Sequence, residues 1–512
     1  RLAELLPRLD AFPRLRARAL SDLGVIGHAT GDRARAVACL EAALAADASY
    51  VPALENLADV VAAVGDHLQA VGLRLDTVRH EPEDALLWAA LGVAAASAGL
   101  WPVACDAAQR ARSLDPEHDG LAALDAVVAA GPQPDAAGLA LPGKLLVAVD
   151  HFFPSSGGSE RLAEDAGIAL RDLGWQVEIV TRALPDRVSG GHRGMAVHEV
   201  DPDRGEAELA AVVARVRPDA ILAFAAPLTW PISGPLNLPH PRPQVVVVPC
   251  VNGDGDASLR ADRAVLRRYA AQLAGAGAVG HSSLRGFDAA LCRELGLPPA
   301  YVPNAVVVAE PDPDVLTGAG LAPDEPILLV VGNNWPEKDH VGLLAHVAAC
   351  EDDLPIVMVG NPSPYHPDIA ARIAEAAARD PRVRRFGGGT REEVAGLMRA
   401  AKALLLPSRV EATPLVILEA MSHGLPWIAT PGCGAVHEHA GGLIVPLDEF
   451  LPTARTLLAD ERARRVLGAA GREHWAACYT WEAIAPRYDA LLRGARELPP
   501  LAAPTGGIAI AA

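Results

Sequence analysis

Cysteine is scarce in this chain of 512 residues, with seven at positions 39, 105, 250, 292, 350, 433 and 478. None forms a C-x-x-C pair or a metal-ligand spacing. That excludes a zinc ribbon, a redox dithiol and a disulfide-built fold, and it fits reduced, mostly buried thiols in the cytoplasm. No apolar run approaches the roughly 20 residues of a membrane span, and no signal-peptide pattern is seen. Peripheral membrane association stays compatible with that. The chain opens on Arg1 rather than Met, which leaves its true N-terminus open. Basic residues are also in deficit: 45 Lys and Arg against 63 Asp and Glu give a formal net charge of −18. Nucleic acid is therefore a poor candidate as main partner. After the first α/β strand, SSGGSE does not supply the G-x-G-x-x-G of a dinucleotide-binding dehydrogenase. Nor does any Ser–His–Asp or Cys–His arrangement carry a supporting motif for a hydrolase.

What is present is globular: 51% hydrophobic and 21% charged residues, enough for sizeable cores in two to four domains at this length. The first 130 residues repeat. Gly31-Asp32, Gly65-Asp66 and Gly99-Leu100 recur at a step of 34, as do Ala36, Ala70 and Ala104, then Gly24, Ala58 and Gly92, then Asp47, Glu81 and Asp115. Small residues at a 34-residue period, with a Gly turn between helices, resemble tetratricopeptide repeats (TPR) over about three units. Trp88 suits a position where that family often has a bulky residue. Stacked units of this kind leave a groove, which predicts a protein partner or an acceptor there. The Pro- and Gly-rich stretch 131–143 (GPQPDAAGLALPG) then reads as a linker.

From Lys144 the pattern changes to strand, glycine turn, helix, strand. KLLVAV (144–149) is a buried-strand run, Gly157-Gly158 lies in the turn before a helix, and QVEIVT (176–181) follows. This is the opening of a Rossmann-like unit, with glycines that let the backbone approach a ligand. A second such unit begins near Pro311, with PILLVV (326–331) as its first strand and a capping-box pattern at Thr390–Glu393. The densest segment is SRVEATPLVILEAMSHGLPWIAT (408–430). Ala403–Pro407 reads as a strand and Ser408–Thr413 as the loop beyond it. Thr413 is the expected N-cap with Pro414 at the first helical position, the helix is expected over Leu415–Ser422, and it stops at His423-Gly424. Glu411 then lies in the loop and Glu419 over a turn into the helix. The free N–H groups at that helix start form an anion site. Two carboxylates beside a phosphate site suit a nucleotide sugar.

This segment resembles the donor motif S-x-x-E-G-x-P-L-x-x-L-E-A-M-A-x-G-x-P-V of the retaining GT-B glycosyltransferases of family 4 (glycosyl transferases group 1). HFFPSSGGSER (151–161) resembles the P-x-x-G-G-x-E-R loop of the same family, YVPNAVVV (301–308) its hinge, and GNNWPEKD (332–339) its G-R-L-x-P-E-K-G stretch. The glycine-rich Gly432–Glu438 and Gly441–Pro446 match as well, so that the likeness covers about two thirds of the chain. The resemblance implies an α/β GT-B fold of two Rossmann-like domains behind an all-α TPR-like domain. The expected divisions are 1–130 repeats, 131–143 linker, 144–310 acceptor-side domain and 311–480 nucleotide-sugar domain. A helix at 481–497 is expected to return to the first of these, followed by a disordered tail at 498–512.

It also implies roles. Glu411 would contact the transferred sugar and Glu419 the ribose. Lys338, with the N–H groups around Thr413, Pro414, Leu415 and Val416, would hold the diphosphate, and Gly157-Gly158 would close the site. The family's Arg is replaced by Asn333, which donates hydrogen bonds without charge, a loss worth about 1.5–3 kcal/mol of leaving-group stabilisation. The family's cleft His is missing from PDAILAF (218–224), and VNGDGD (251–256) falls where the resemblance implies an acceptor-side loop, which leaves His151, Asn252, Asp254 and His281 as acceptor-side candidates. Ala412 replaces the family's Gly. No metal and no cofactor are expected beyond a nucleotide-diphosphate sugar, UDP- or GDP-linked. Asp254-Gly255-Asp256 is a D-x-D that this scaffold does not use. Arg260, Arg263, Arg267 and Arg268 suggest a solvated basic helix face, or one that meets an anionic lipid or acceptor. The expected activity is transfer of a sugar to a glycan, lipid or protein acceptor. The alternative is a non-catalytic TPR scaffold with a degenerate GT-B portion.

Overall fold

The step of 34 residues in the sequence is a step of two helices. In the computed structural model, Pro13–Ala29 and Arg33–Ala46 form one helical pair, Val51–Ala62 and His67–His80 a second, and Ala85–Ser97 and Trp101–Leu114 a third. The structure describes residues 6–511 except 10–11, 99–100, 117–120, 122–123, 125–127, 129–142, 156, 186, 188–189, 240–241, 298–299, 323–324, 352, 496 and 502–509. The recurring residues have recurring jobs. Gly31 and Gly65 adopt left-handed φ of +81° and +88°, where a side chain is strained. Asp32 and Asp66 then cap the next helices by accepting the N–H groups of Arg35 and Gln69. Ala36, Ala70 and Ala104 are all buried in helix contacts. Gly24 and Gly92 face Leu40 and Leu124 so closely that a Cβ would come within 2.5 Å and 2.8 Å of those side chains.

By its contacts the chain divides into two compact units. The first comprises residues through Ala140 together with Leu238–Arg242 and Ser258–Gly277; the second holds the rest. Residues 238–242 and 258–277 thus leave the expected 144–310 domain and join the helical unit. There the Arg263–Gly275 helix lies on His67–His80. Gly72 permits the approach, since a Cβ on it would meet the Arg267 carbonyl oxygen at 2.8 Å. The Arg267 Nε–Asp76 Oδ2 pair (2.7 Å) seals it. The basic face expected on this helix is therefore not wholly free, because Arg267 is spent inside the unit.

The second unit contains two sheets. The first comprises β1 (Lys144–Val149), β2 (Gln176–Arg182), β3 (Gly191–His192), β4 (Met195–Val200), β5 (Ala220–Ala225), β6 (Gln244–Pro249), β7 (Ala278–His281) and β8 (Ala300–Tyr301), ordered β3-β4-β2-β1-β5-β6-β7-β8. The second comprises β9 (Leu328–Val331), β10 (Ile356–Val359), β11 (Val383–Gly387), β12 (Ala403–Leu406), β13 (Trp427–Ala429), β14 (Gly442–Ile444) and β15 (Ile510–Ala511), ordered β11-β10-β9-β12-β13-β14-β15. Strand pairs are parallel except β3 with β4.

Continuous apolar runs become parallel strands because both faces of each strand are covered. In the second sheet Leu329, Val357, Leu404, Leu406 and Trp427 enter one core, while Leu328, Val330, Ile356, Leu405 and Ile428 enter the other. Parallel pairing also puts the loops after β1, β7, β9, β10 and β12 at the carboxyl edges of their sheets, where α/β folds bind ligands. The helix Trp481–Leu492 packs Trp481, Ile484, Tyr488 and Leu492 into the core of the first sheet. Trp175 Nε1 donates to Asp489 Oδ1 at 2.8 Å and Gln244 Nε2 donates to the Leu491 carbonyl at 3.3 Å. The linker expected at 131–143 lies outside the described residues apart from Gly143, as do 502–509 and 512 of the expected disordered tail. Residues 510–511 depart from that expectation, because they pair with Leu443 and Ile444 as the edge strand β15.

Gly442 tests the packing. A Cβ there would fall 1.9 Å from the fully buried Trp427 ring. Gly442→Ala is expected to destabilise the fold by about 1–3 kcal/mol through overpacking, read as a lower urea midpoint.

Candidate active site

Beyond β12 the chain turns inward rather than out to solvent. Ser408 is fully buried, and its Oγ donates to Glu411 Oε1 at 2.8 Å. Thr430 holds the Ser408 carbonyl from β13's end. The glycine-rich segment that follows β13 lies on this loop: Glu411 bridges Cys433, and Gly434 N–H donates to the Glu411 carbonyl at 3.0 Å. Gly432 has no room for a Cβ, which would sit 1.9 Å from the Arg409 carbonyl oxygen. The Glu411 backbone is therefore held by the segment after β13 and its carboxylate by Ser408.

Its third contact is the charged one. Lys338 Nζ lies 2.5 Å from Glu411 Oε1, with the side chains 23% and 12% exposed. Lys338 closes the short helical turn Pro336–Lys338, and Asp339 follows at a left-handed φ of +48°, capping the His340–Ala349 helix through Gly342 N–H. Arg409 ties the two loops together, its N–H donating to the Glu337 carbonyl at 2.8 Å. Asn333 accepts the Asn361 N–H at 3.0 Å and so joins the loops after β9 and β10.

The helix after Glu411 spans Leu415–Ser422, the expected range, but Pro414 is its N-cap in an extended conformation (ψ 112°) rather than its first helical residue. Thr413 is not the cap: its hydroxyl is within 2.7 Å of Ser282 Oγ, and its carbonyl accepts from Asn304 Nδ2 at 3.3 Å. Two residues from the first sheet's loops have claimed Thr413, and no side chain caps the helix. The start of this helix thus has no side-chain cap for its N–H groups. The stop falls where expected, with Gly424 at φ +66°.

Across from this helix start lies the loop after β1. Gly157 caps the helix Gly158–Asp172, and a Cβ on Gly158 would stand 4.0 Å from Leu415 Cδ1. One turn on, Arg161 Nη1 is 3.3 Å from Glu419 Oε1. Arg391 binds Asp165 through both carboxylate oxygens at 2.8 Å and 2.9 Å and reaches Glu164 Oε2 at 3.4 Å. Burial pushes the Asp165 carboxyl up to about 6, against the pull of Arg391. Glu438 accepts from Ser283 Oγ and from the N–H groups of Leu284 and Arg285. Glu411, Glu419, Lys338, the helix start and Gly157-Gly158 are thus brought together. Arg161, Arg391, Ser282 and Glu438 were not among the expected site residues. Arg161 ends the quoted G-G-x-E-R motif, but nothing local says that its partner stands 258 positions away.

The acceptor-side candidates divide. His151 is part-exposed beside Asp150, Nδ1 to Oδ2 3.1 Å. Burial works against ionisation of Asp150, yet hydrogen bonds from His151 and Trp230 and the charge of Arg182 hold its carboxyl below the usual range. His281 is withdrawn: it is buried, its Nδ1 faces the Ser283 carbonyl at 2.7 Å, and burial lowers its pKa. The expected loop at Val251–Asp256 is instead a helix start. Asn252 Oδ1 accepts the Gly255 N–H at 2.7 Å, and the helix runs Gly253–Ala261. The Asp254 side chain lies outside the described residues. Among the described residues, no group of three or more His, Cys, Asp or Glu could hold a metal, and no helix is long and apolar enough to cross a membrane.

Comparison with known proteins meets this geometry at the second sheet. Residues 325–460 match the family Glycosyl transferases group 1. The chain is 31% identical over 195 residues to a D-inositol 3-phosphate glycosyltransferase of Kribbella flavida, covering 35% of this chain and 46% of that protein. It is 32% identical over 184 residues to the one from Corynebacterium glutamicum, covering 33% and 43%. The chain thus spans less than half the length of these relatives. Among solved structures, sucrose-phosphate synthase from Thermosynechococcus elongatus aligns with a TM-score of 0.60 at 23% identity, over 69% of this chain and 98% of that one. Anabaena HepE in complex with UDP and glucose aligns with a TM-score of 0.56 at 18% identity, over 68% and 99%. The fold is GT-B, as expected, with a helical region ahead of it.

Behind Lys338, His340 is buried with its Nδ1 unpaired among the described residues, and burial, with the nearby Lys338 charge, depresses its pKa to about 4. Unfolded His titrates near 6.5. Stability is therefore lost as pH falls from about 6.5 to about 4, where only the unfolded chain takes the proton. The His340→Leu variant is expected to flatten this part of the acid limb in denaturant melts across that range.

Proposed function

We propose that this chain is a retaining glycosyltransferase, moving a sugar from a nucleotide-diphosphate sugar to an acceptor. The observation that carries the proposal is the Glu411–Lys338 pair set beside the uncapped start of the Leu415–Ser422 helix, with Gly157-Gly158 opposite. Glu411 would contact the transferred sugar and Glu419 the ribose hydroxyls. Lys338 and the N–H groups of Leu415 and Val416 would stabilise the charge that grows on the departing diphosphate, which is the dominant demand on the site in such a transfer. The family match over 325–460 and the nucleotide named in the HepE structure support this use of the second sheet's loops.

His151, part-exposed at the end of β1 beside the glycine loop, is the acceptor-side histidine that the geometry favours over His281. The helical repeats are assigned to binding an acceptor or a protein partner, supported by the stacking of their 34-residue units. The reaction needs no resident metal in this reading, since Lys338 and the helix end meet the diphosphate.

The test is calorimetry with UDP, GDP, ADP and TDP and their sugar conjugates, with and without magnesium. One nucleotide family is expected to bind without metal, and Glu419→Ala to weaken it by about tenfold or more. Lys338→Ala is expected to lower the rate of sugar release from the conjugate that binds by about 10²–10³. Binding by none of them at millimolar concentration would overturn the proposal in favour of a scaffold.

A further inference from the structure

We infer that Arg161 is a second diphosphate-binding cation of the donor site, parked on Glu419 until a donor arrives. The inference rests on the donor-site reading above and goes beyond it. Four charged side chains of the site form two ion pairs, Lys338–Glu411 and Arg161–Glu419. Each joins a cation to a carboxylate that a nucleotide sugar would want for its hydroxyls. A donor offers both halves of an exchange. Its sugar and ribose hydroxyls replace the cations at Glu411 and Glu419, and its diphosphate replaces the carboxylates at Lys338 and Arg161. Lys338 and Arg161 keep an anionic partner throughout, while Glu411 and Glu419 exchange theirs for hydroxyl donors, which offsets part of the desolvation cost of binding.

The distances permit this. Glu419 stands four residues, about 6 Å of helix rise, past Leu415. Arg161 rises from the helix whose first residue, Gly158, faces Leu415. A guanidinium on that long stem needs to move about one helical turn to leave Glu419 for the anion end of the Leu415–Ser422 helix. There it would offer the planar, paired donors that suit phosphate oxygens. The need is concrete. Asn333 carries no charge, and its Oδ1 is committed to the Asn361 N–H. Arg161 thereby adds, from the opposite sheet, a second cation beside Lys338. Donor binding then also tightens the approach of the two glycine-bearing loops.

The experiment titrates wild type, Arg161→Ala and Arg161→Lys with UDP, GDP, ADP and TDP, and with the four matching nucleosides, by calorimetry, with melting curves to verify folding. Arg161→Ala is expected to weaken the diphosphate that binds by about 10- to 100-fold. The matching nucleoside should bind as well or better, because Glu419 is released. Arg161→Lys should recover part of the loss. Arg161→Ala binding the diphosphate as tightly as wild type, or weakening nucleoside and diphosphate equally, would overturn the inference while leaving the donor site standing. Failure of the wild type to bind any diphosphate would remove the donor-site reading and this inference together.

Discussion

Strand β12 can lie inside its sheet only because Ala403, Leu404, Leu405 and Leu406 are apolar on both faces, one pair entering each core. That two-sided burial is the constraint on which the site depends. Strands covered on both sides suit a parallel sheet, β12 is flanked by the parallel β9 and β13, and parallel neighbours put successive loops on one edge. The loop after β12 then has few places to go. Ser408 is buried, Gly432 lets the next segment lie against Arg409, and Glu411 is held by Ser408 and Lys338. The position of the carboxylate follows from packing and hydrogen bonding, and its chemistry follows from the position.

The same logic explains how charges are used in a chain that is acidic overall. Around the glycine loop and the 415–422 helix, carboxylates are matched with cations from other segments: Glu411 with Lys338, Glu419 with Arg161, Asp165 with Arg391. Two of these three pairs, the last two, join loops or helices of the first sheet to those of the second. Electrostatics therefore does two tasks at once. It ties the loop edges of the two sheets together, and it leaves each of these carboxylates beside a cation. Thr413 adds a neutral version of the same device, shared between Ser282 and Asn304.

Much of this was legible one residue at a time. The small residues at a step of 34, the apolar runs of the strands and the capping box at Thr390 announce local structure, because helix turns, strand burial and caps are decided by a few neighbours. The Glu411 and Glu419 spacing was readable for the same reason. Thr413-Pro414 misled by one position: Thr is a good cap in isolation, but a hydroxyl that finds Ser282 is no longer available to its own helix. Val251–Asp256 read as an acceptor-side loop from the family likeness, yet the Asn252 side chain accepts the Gly255 N–H and a helix starts there.

By itself the sequence determined the elements, their order and the identity of the carboxylates and the lysine near the ligand edge, since periodicity and local hydrogen bonding act over a few residues. Only the tertiary structure decided that Arg161 faces Glu419, that His281 is withdrawn, and that residues 258–277 pack with the helical unit rather than with the sheet they adjoin in the chain. Each of those depends on a partner tens to hundreds of positions away. Such pairings are chosen by which surfaces can be buried together, and no local pattern records them.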